Sequence, residues 1–254
     1  MPTEVPSGME ALKPDVRVFD DLDALSHAAA EAFVQASSLS VAQRQRFLVA
    51  LSGGSTPVAL YRLLRGPPYV RQINWTATHA FWGDERCVPA ADPENSYRQV
   101  HEILLARVPI PPANVHRIRS ELEPEDAAAD YRRTLKVFAS PPLQWPRFDI
   151  VMLGMGSDGH TASLFPGSAL APAVPVLAVT GQYENRPARR ITLSAAVLNA
   201  ARLVIFLVSG QGKAETLKRV LYGEPQPESL PAQRIHPADG SLIWMVDRAA
   251  ASRF

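Results

Sequence analysis

Residues 47–64, FLVALSGGSTPVALYRLL, contain the pattern that decides the fold. An apolar run at residues 47–51 leads into a turn of glycine and hydroxyl residues, and a helical pattern then opens with Pro57. The apolar run predicts a buried strand, and proline suits the first turn of a helix, where no backbone N–H has to be donated. A strand that runs directly into a helix is the repeating unit of α/β proteins.

Further along the chain, more apolar runs predict buried strands at residues 78–82, 149–153, 203–208 and 242–246. Helical spacing of apolar residues recurs between them, at residues 95–108, 124–138 and 212–221. This alternation predicts an α/β fold with a mainly parallel, helix-covered sheet. We expect a single domain over residues 1–254, with residues 1–14 as a loosely ordered N-terminal segment.

The charges are balanced, with 26 basic and 25 acidic residues and a net charge of +1. No overall field attracts nucleic acid or an anionic membrane, and we expect neither as a partner. The longest purely apolar run, residues 203–208, is far shorter than the roughly 20 residues of a membrane span. Cys87 is the only cysteine, which excludes an intramolecular disulfide and fits a reducing compartment. Because the N-terminus also lacks the pattern of a secretory signal, we expect a cytoplasmic protein.

The turn after the first strand has the composition of a phosphate site, formed by Gly53, Gly54, Ser55 and Thr56. The glycines let the backbone approach a ligand, and Thr56 stands where the helix cap belongs. Free N–H groups and hydroxyls at the start of a helix would then face an anion. The alternative is a plain strand-to-helix turn made of small residues.

The segment at residues 78–88, THAFWGDERCV, brings three charged residues in a row to the end of a buried strand. Arg86 could hold a phosphate through two parallel hydrogen bonds, and Asp84 could order that arginine or a sugar hydroxyl. The alternative is a solvated turn with a local ion pair.

Residues 148–167, FDIVMLGMGSDGHTASLFPG, form the most specific stretch of the chain. Residues 154–159 match the GxGxxG pattern of dinucleotide sites, but Pro166 leaves almost no room for the helix that such a site requires. Val179 also stands where the ribose-binding acid would be expected. We therefore predict no nucleotide cofactor here.

The same glycines would turn the backbone sharply and present His160 beside Asp158. A histidine whose tautomer is fixed by a neighbouring carboxylate is suited to general-base catalysis. The alternative is an ordinary packed or surface histidine. A fourth candidate is Lys213, which follows the strand at residues 203–208 and falls in the first turn of the next predicted helix. A cation there opposes the helix dipole, so it either faces a bound anion or is simply solvated.

All four segments follow predicted strands. In open α/β sheets, ligands bind in the crevice beyond the carboxyl ends of the strands, and we expect the four segments to meet there.

The motifs LSGGSTP, WGDERCVP and LGMGSDGHTASLFPGS closely resemble those of the 6-phosphogluconolactonases, within the glucosamine-6-phosphate isomerase/6-phosphogluconolactonase family. The resemblance continues through RITLSAAVLNAA, VSGQGKA and LPAQRIHPADGSLIWMVDRAA, so that it covers residues 15–252. It implies a single Rossmann-like domain with helices on both faces of the sheet, no required metal or cofactor, and a place in the pentose phosphate pathway. The implied partner is a phosphorylated sugar lactone, bound by a monomer or a small homo-oligomer.

By matched position, the resemblance implies that His160 is the base that activates water, with Asp158 beside it. Arg86, Lys213 and residues 53–56 would hold the phosphate, and backbone N–H groups of the glycine turn, including Gly156, would stabilise the oxyanion. One departure is the order Asn95-Ser96, where many relatives have Ser-Asn, and for this pair we predict only a helix cap.

Two rival functions remain. Isomerases or deaminases of amino-sugar phosphates share the fold, but they read DGHxAFNEP, with a carboxylate where this chain has Phe165. They also read Asp-Glu-Tyr at the segment that ends here in Arg86. A sugar-phosphate sensor is the second rival, although fewer than about 20 residues precede the first core element, too few for a helix-turn-helix module.

Overall fold

The computed structural model describes residues 14–168, 174–181, 183–184 and 186–254. The strands formed by these residues are β1 (Asp15–Phe19), β2 (Phe47–Leu51), β3 (Thr78–Trp82), β4 (Asp84–Arg86), β5 (Val115–His116), β6 (Ile150–Leu153), β7 (Val176–Thr180), β8 (Arg189–Leu193), β9 (Leu203–Val208) and β10 (Ser241–Asp247). The α-helices are α1 (Leu22–Arg44), α2 (Pro57–Leu64), α3 (Tyr69–Gln72), α4 (Ser96–Ile103), α5 (Pro124–Val137), α6 (Ala195–Asn199) and α7 (Ala214–Tyr222).

The main sheet is parallel throughout and has the strand order β1-β10-β9-β6-β2-β3-β5. Every residue of β2 and β6, at the centre of this sheet, is buried. Because successive side chains of a strand point to opposite faces, both faces of the sheet must be covered there. The predicted α/β fold with a mainly parallel, helix-covered sheet is confirmed.

The order of the strands reverses between β2 and β6. From β2 the chain adds β3 and β5 on one side, and it then returns to place β6, β9 and β10 on the other. The loops that follow β2 and β6 therefore leave the sheet at the point where the connections change direction, which is where open α/β sheets form their ligand crevice.

A second, antiparallel sheet has the order β4-β8-β7 and was not predicted. Gly83 joins the two sheets, since its N–H donates to Leu51 O at 2.9 Å and its carbonyl accepts from Leu193 N at 2.8 Å. The three charged residues that follow Gly83 are therefore a strand of the small sheet and not a solvated turn.

Several predicted boundaries were wrong by a few residues. The helix predicted at 95–108 is shorter in the structure: α4 ends at Ile103, and a separate 3-10 turn, Leu105–Arg107, follows it. The helix predicted at 212–221 begins at Ala214, after a 3-10 turn that contains Lys213. Thr56 occupies the cap position of α2, but its backbone is helical and its side chain makes no capping hydrogen bond.

The predicted N-terminal segment, residues 1–14, lies outside the described residues except for Pro14. The assignment of the whole chain to one domain stays a prediction. No helix of the described ranges combines the length and the apolar character needed to cross a membrane.

Candidate active site

A cavity of about 310 Å³ lies at the carboxyl ends of β2, β3, β6 and β9. Its lining includes most of the residues predicted from sequence: Gly53, Gly54, Ser55, Thr56, Asp84, Arg86, Gly156, His160 and Lys213. Asp158 does not line the cavity itself but contacts His160, which does. The sheet thus brings together the four segments that follow these strands.

His160 and Asp158 form a close pair. The distance from His160 Nδ1 to Asp158 Oδ1 is 2.6 Å, and the backbone N–H of His160 donates to the same oxygen at 3.1 Å. Burial by itself would raise the pKa of the Asp158 carboxyl, but the hydrogen bonds and charge of His160 outweigh it and lower that pKa. An ionised Asp158 favours the tautomer that carries the proton on Nδ1, which leaves Nε2 of the neutral ring as a proton acceptor.

Glycines make this pair possible. A Cβ atom on Gly156 would lie 2.1 Å from His160 Nδ1 and 2.4 Å from Asp158 Oδ1, so any side chain there would displace both groups. Gly159 has a φ of +85°, in the left-handed region that glycine adopts without strain. No helix follows this turn before Ser168, as expected from Pro166.

The expected oxyanion role of Gly156 is not supported. Its N–H donates to His160 O at 2.9 Å. The N–H of Gly159 donates to Gly156 O, and the N–H of Ser157 donates to the Tyr183 hydroxyl. Hydrogen bonds that shape the turn therefore use these donors. What Gly156 contributes is the space left by its missing side chain.

The loop after β2 leaves backbone donors open at the cavity. The N–H groups of Gly53 and Ser55 have no hydrogen-bond acceptor within the described part of the chain, whereas Gly54 N donates to Gln99 Oε1 at 2.9 Å. Gly53 also packs against the start of α4, since a Cβ there would lie 2.4 Å from Ser96 Oγ. The loop is thus fixed from α4 and still presents N–H groups to a ligand.

Arg86 has a different partner from the one expected. Its Nη1 lies 3.1 Å from Glu94 Oε2 and donates to Glu94 O at 2.7 Å, while its Nε is buried without a hydrogen-bond partner. Asp84 Oδ2 instead accepts a hydrogen bond of 2.6 Å from Ser163 Oγ. The prediction that Asp84 orders Arg86 is wrong, because each side chain has another partner: Ser163 donates to Asp84, and Glu94 pairs with Arg86.

Glu85, which lies between them, is fully buried and fixes α4. Its carboxylate accepts the N–H groups of Ser96 and Tyr97, each at 2.7 Å, and that of Arg86 at 2.8 Å. Burial raises the pKa of Glu85 to about 7, although the three N–H donors oppose the shift. The predicted cap role of Asn95 is confirmed, because its side chain accepts from Arg98 N at 2.8 Å.

Lys213 lies at the other side of the cavity, in the 3-10 turn that precedes α7. Its Nζ is 3.4 Å from the Tyr183 hydroxyl, and no carboxylate of the described residues lies within ion-pair distance of it. The ammonium group is therefore available to an anion in the cavity.

Sequence reasoning missed Tyr183 and Arg186, in the connection between β7 and β8, and Arg190, in β8, all of which line the cavity. The ring of Tyr183 meets the His160 ring edge to face, with 4.5 Å between centroids. The available signal was the sequence RRITL at residues 189–193, in which two arginines lead directly into residues typical of a strand.

Within the described ranges, no cluster of three or more His, Cys, Asp or Glu side chains has the arrangement of a metal site.

Comparison with known proteins shows the family. The model of the family described as glucosamine-6-phosphate isomerases/6-phosphogluconolactonase matches residues 20–244, and the chain belongs to this family. A probable 6-phosphogluconolactonase 2 from Oryza sativa subsp. japonica is 36% identical over 250 residues, covering 94% of this chain and 89% of the relative. A 6-phosphogluconolactonase from Aggregatibacter actinomycetemcomitans is 38% identical over 203 residues, and the match covers 80% of this chain and 85% of the relative.

Among solved structures, 6-phosphogluconolactonase from Trypanosoma brucei superimposes with a TM-score of 0.81 at 30% identity. The match covers 94% of this chain and 98% of that one. Within the family, the chain is therefore similar to proteins that carry the name 6-phosphogluconolactonase.

Proposed function

We propose that this protein hydrolyses 6-phospho-D-glucono-1,5-lactone to 6-phosphogluconate, the lactonase step of the oxidative pentose phosphate pathway. The observation that carries the proposal is the pair of His160 and Asp158, joined at 2.6 Å, in the same cavity as two cationic side chains and the loop at residues 53–56. A base and several anion donors within one cavity match a phosphorylated ester.

In the proposed mechanism, neutral His160 accepts a proton from water at Nε2 as the water oxygen attacks the lactone carbonyl carbon. Asp158 holds the proton on Nδ1 and stabilises the imidazolium that forms, as the acid of a catalytic triad does. Collapse of the tetrahedral intermediate breaks the ring C–O bond, and the proton on His160 passes to the departing alkoxide. The product is the open-chain acid.

The phosphate is held by the loop at residues 53–56, through the open N–H groups of Gly53 and Ser55, and by Arg86 and Lys213. These groups lie on different loops around the cavity, so one dianionic group contacting all of them fixes the substrate in one orientation. Binding energy from this remote phosphate then positions the carbonyl near His160, which lowers the entropic part of the barrier.

The isomerase or deaminase alternative is disfavoured by Phe165. Its side chain is buried, and its ring centroid lies 4.9 Å from that of His160. The related enzymes have a carboxylate in their motif at this position, whereas an apolar ring cannot transfer protons. A sensor function would leave the close His160–Asp158 pair without a purpose.

The direct test is turnover of freshly prepared 6-phosphogluconolactone, followed by proton release and corrected for spontaneous hydrolysis. Glucosamine 6-phosphate, assayed for ammonia release, is the comparison substrate. We expect hydrolysis of the first and none of the second. Ammonia release, or no turnover of the lactone by a folded protein, would contradict the proposal.

We further propose that hydrolysis needs neither metal nor nucleotide. A lactone carbonyl is already an activated ester, so a positioned base and fixed donors suffice without a Lewis acid. Activity should persist after exhaustive chelation. If it vanished with chelator and returned with a divalent ion, the metal-free mechanism would be wrong even with the substrate right. A cytoplasmic location and a monomeric or small homo-oligomeric state also stay proposals.

A further inference from the structure

Arg190, in β8, lies directly opposite Arg86, in β4, in the register of the small antiparallel sheet. Like charges directly opposite each other destabilise a strand pair. The residue is only 4% exposed, and burial of an unpaired cation carries a further free-energy cost. This pairing therefore needs a compensating group.

The described residues provide little compensation for Arg190. Its Nε donates to Pro187 O at 3.0 Å, and its Cζ lies 5.5 Å from the centroid of the Phe165 ring. Within the described ranges, no carboxylate lies at ion-pair distance from Arg190, and its Nη2 is buried without a hydrogen-bond partner. Burial lowers the pKa of this guanidinium, and the attraction of the Asp84 charge only partly offsets that effect.

Arg190 also lines the candidate active site together with Arg86, whose buried Nε has no hydrogen-bond partner either. Two guanidinium groups with unused donors thus border one cavity. We propose that Arg190 is a further substrate-binding residue, which forms with Arg86 a paired-arginine site for the phosphate group of the ligand. The identity of the ligand rests on the proposed function, whereas the anion site rests on the two arginines.

A dianionic phosphate would supply what the pair lacks. Its terminal oxygens can accept from both guanidinium groups, which satisfies the unused N–H donors and neutralises the repulsion across the strands. The alternative is that Arg190 only ties the connection between β7 and β8 through Pro187. That role predicts lower stability on mutation but no selective loss of anion binding.

The test compares Arg190→Gln, which removes the charge, with Arg190→Lys, which keeps it. Arg189→Gln is the matched control, since Arg189 is the preceding residue of β8 and its exposed side chain pairs, among the residues that the structure describes, only with the exposed Glu123. Each folded variant is titrated calorimetrically with 6-phosphogluconate and, separately, with inorganic phosphate, so that neither measurement depends on catalytic activity. We expect Arg190→Gln to weaken both about 10- to 100-fold, Arg190→Lys to restore part of the loss, and the control to behave as wild type.

Wild-type affinity for both anions in a folded Arg190→Gln protein would overturn the inference. If that variant does not fold, Arg190→Lys decides: a raised KM with kcat retained supports anion binding, and an unchanged KM contradicts it. The proposed function fails separately. If the wild-type protein binds inorganic phosphate through Arg190 but does not hydrolyse the lactone, the inferred anion site is correct and the proposed substrate is wrong.

Discussion

His160 is held by contacts that together restrict its ring. Asp158 fixes Nδ1, while Phe165 and Tyr183 pack against the imidazole with centroid distances of 4.9 and 4.5 Å. A base held in this way loses little entropy when it meets the attacking water. The two aromatic rings also give the imidazole partly apolar surroundings.

We predict that His160→Ala lowers kcat by about 10²- to 10⁴-fold while substrate binding is largely kept, since a general base acts on the chemical step. Asp158→Asn should lower kcat as well, because it no longer fixes the tautomer. Steady-state kinetics on fresh lactone measures both. His101→Ala, at an exposed histidine of α4, is the control and should retain wild-type kcat. Near-normal kcat in His160→Ala would remove this residue from the mechanism.

Arg86→Ala and Lys213→Ala should each weaken binding of 6-phosphogluconate. Each removes a charge-assisted contact worth about 1.5 to 3 kcal/mol. Calorimetry gives the affinity, and Lys218→Ala, at an exposed lysine of α7, is the control. Unchanged affinity in both variants would mean that the phosphate binds elsewhere.

At the scale of elements, the turn between β6 and His160 depends on close packing of Gly156. We expect Gly156→Ala to reduce kcat strongly, because the added methyl group would occupy the space of His160 Nδ1 and Asp158 Oδ1. Gly212→Ala is the control, since a methyl group there meets nothing within 4 Å. Full activity in Gly156→Ala would show that the pair tolerates displacement.

Strand β4 and helix α4 act as one unit through Glu85. Its carboxylate binds the first N–H groups of α4, and Ser96 at the start of that helix packs against Gly53. A single buried carboxylate therefore connects the segment that carries Arg86 to the loop after β2. Both parts of the candidate phosphate site are held by the same helix.

At the scale of the whole molecule, the functional groups gather at the carboxyl edge of the main sheet. His79 and His116 form a separate pair, with 3.1 Å between His79 Nδ1 and His116 Nε2 and stacked rings. Burial, and then the charge of His79, lowers the pKa of His116 to about 4. This pair lines no part of the active-site cavity.

The His116 shift predicts a loss of stability in acid. The unfolded chain takes up a proton near the ordinary pKa of 6.5, whereas the folded chain does so only near 4. At His116 the unfolded state therefore binds more protons in this window, and the contribution of this group to stability falls as pH drops from about 6.5 to about 4. Glu85 acts in the opposite direction, because its pKa is raised from 4.5 to about 7 in the folded protein, so the His116 effect is the difference between wild type and a variant without this histidine. Melting temperatures between pH 7 and 4.5 measure the effect.

His116→Phe should flatten that dependence, because it keeps an aromatic ring beside Phe81 and Phe138 but removes the titrating group. His101→Ala, at an exposed histidine, should leave the slope unchanged. The same acid sensitivity in wild type and His116→Phe would assign it to other groups.

Five strands of the main sheet were predicted because burial leaves largely apolar runs, as in β2 and β9. The two edge strands, β1 and β5, were not predicted, since none of their residues is fully buried and β5 has only two residues. The small sheet was not predicted. β4 consists of the charged residues Asp84–Arg86 and β8 begins with two arginines, so neither has an apolar run. Of the apolar residues 176–179 in β7, only Val176 is fully buried, and the run follows several prolines in the sequence. These strands form because partners distant in sequence satisfy their backbone groups, which no local pattern records.

The sequence by itself determined the α/β class, the segments that follow four strands and the pairing of His160 with Asp158 two residues away, because these features depend on local periodicity and short spacing. Only the tertiary structure decided that Asp84 bonds Ser163, that Arg86 pairs with Glu94 and that Arg190 faces Arg86. Such contacts join residues up to 104 positions apart, between Arg86 and Arg190. Their geometry is set by strand pairing and by which charges are buried together, and both arise only when the whole chain packs.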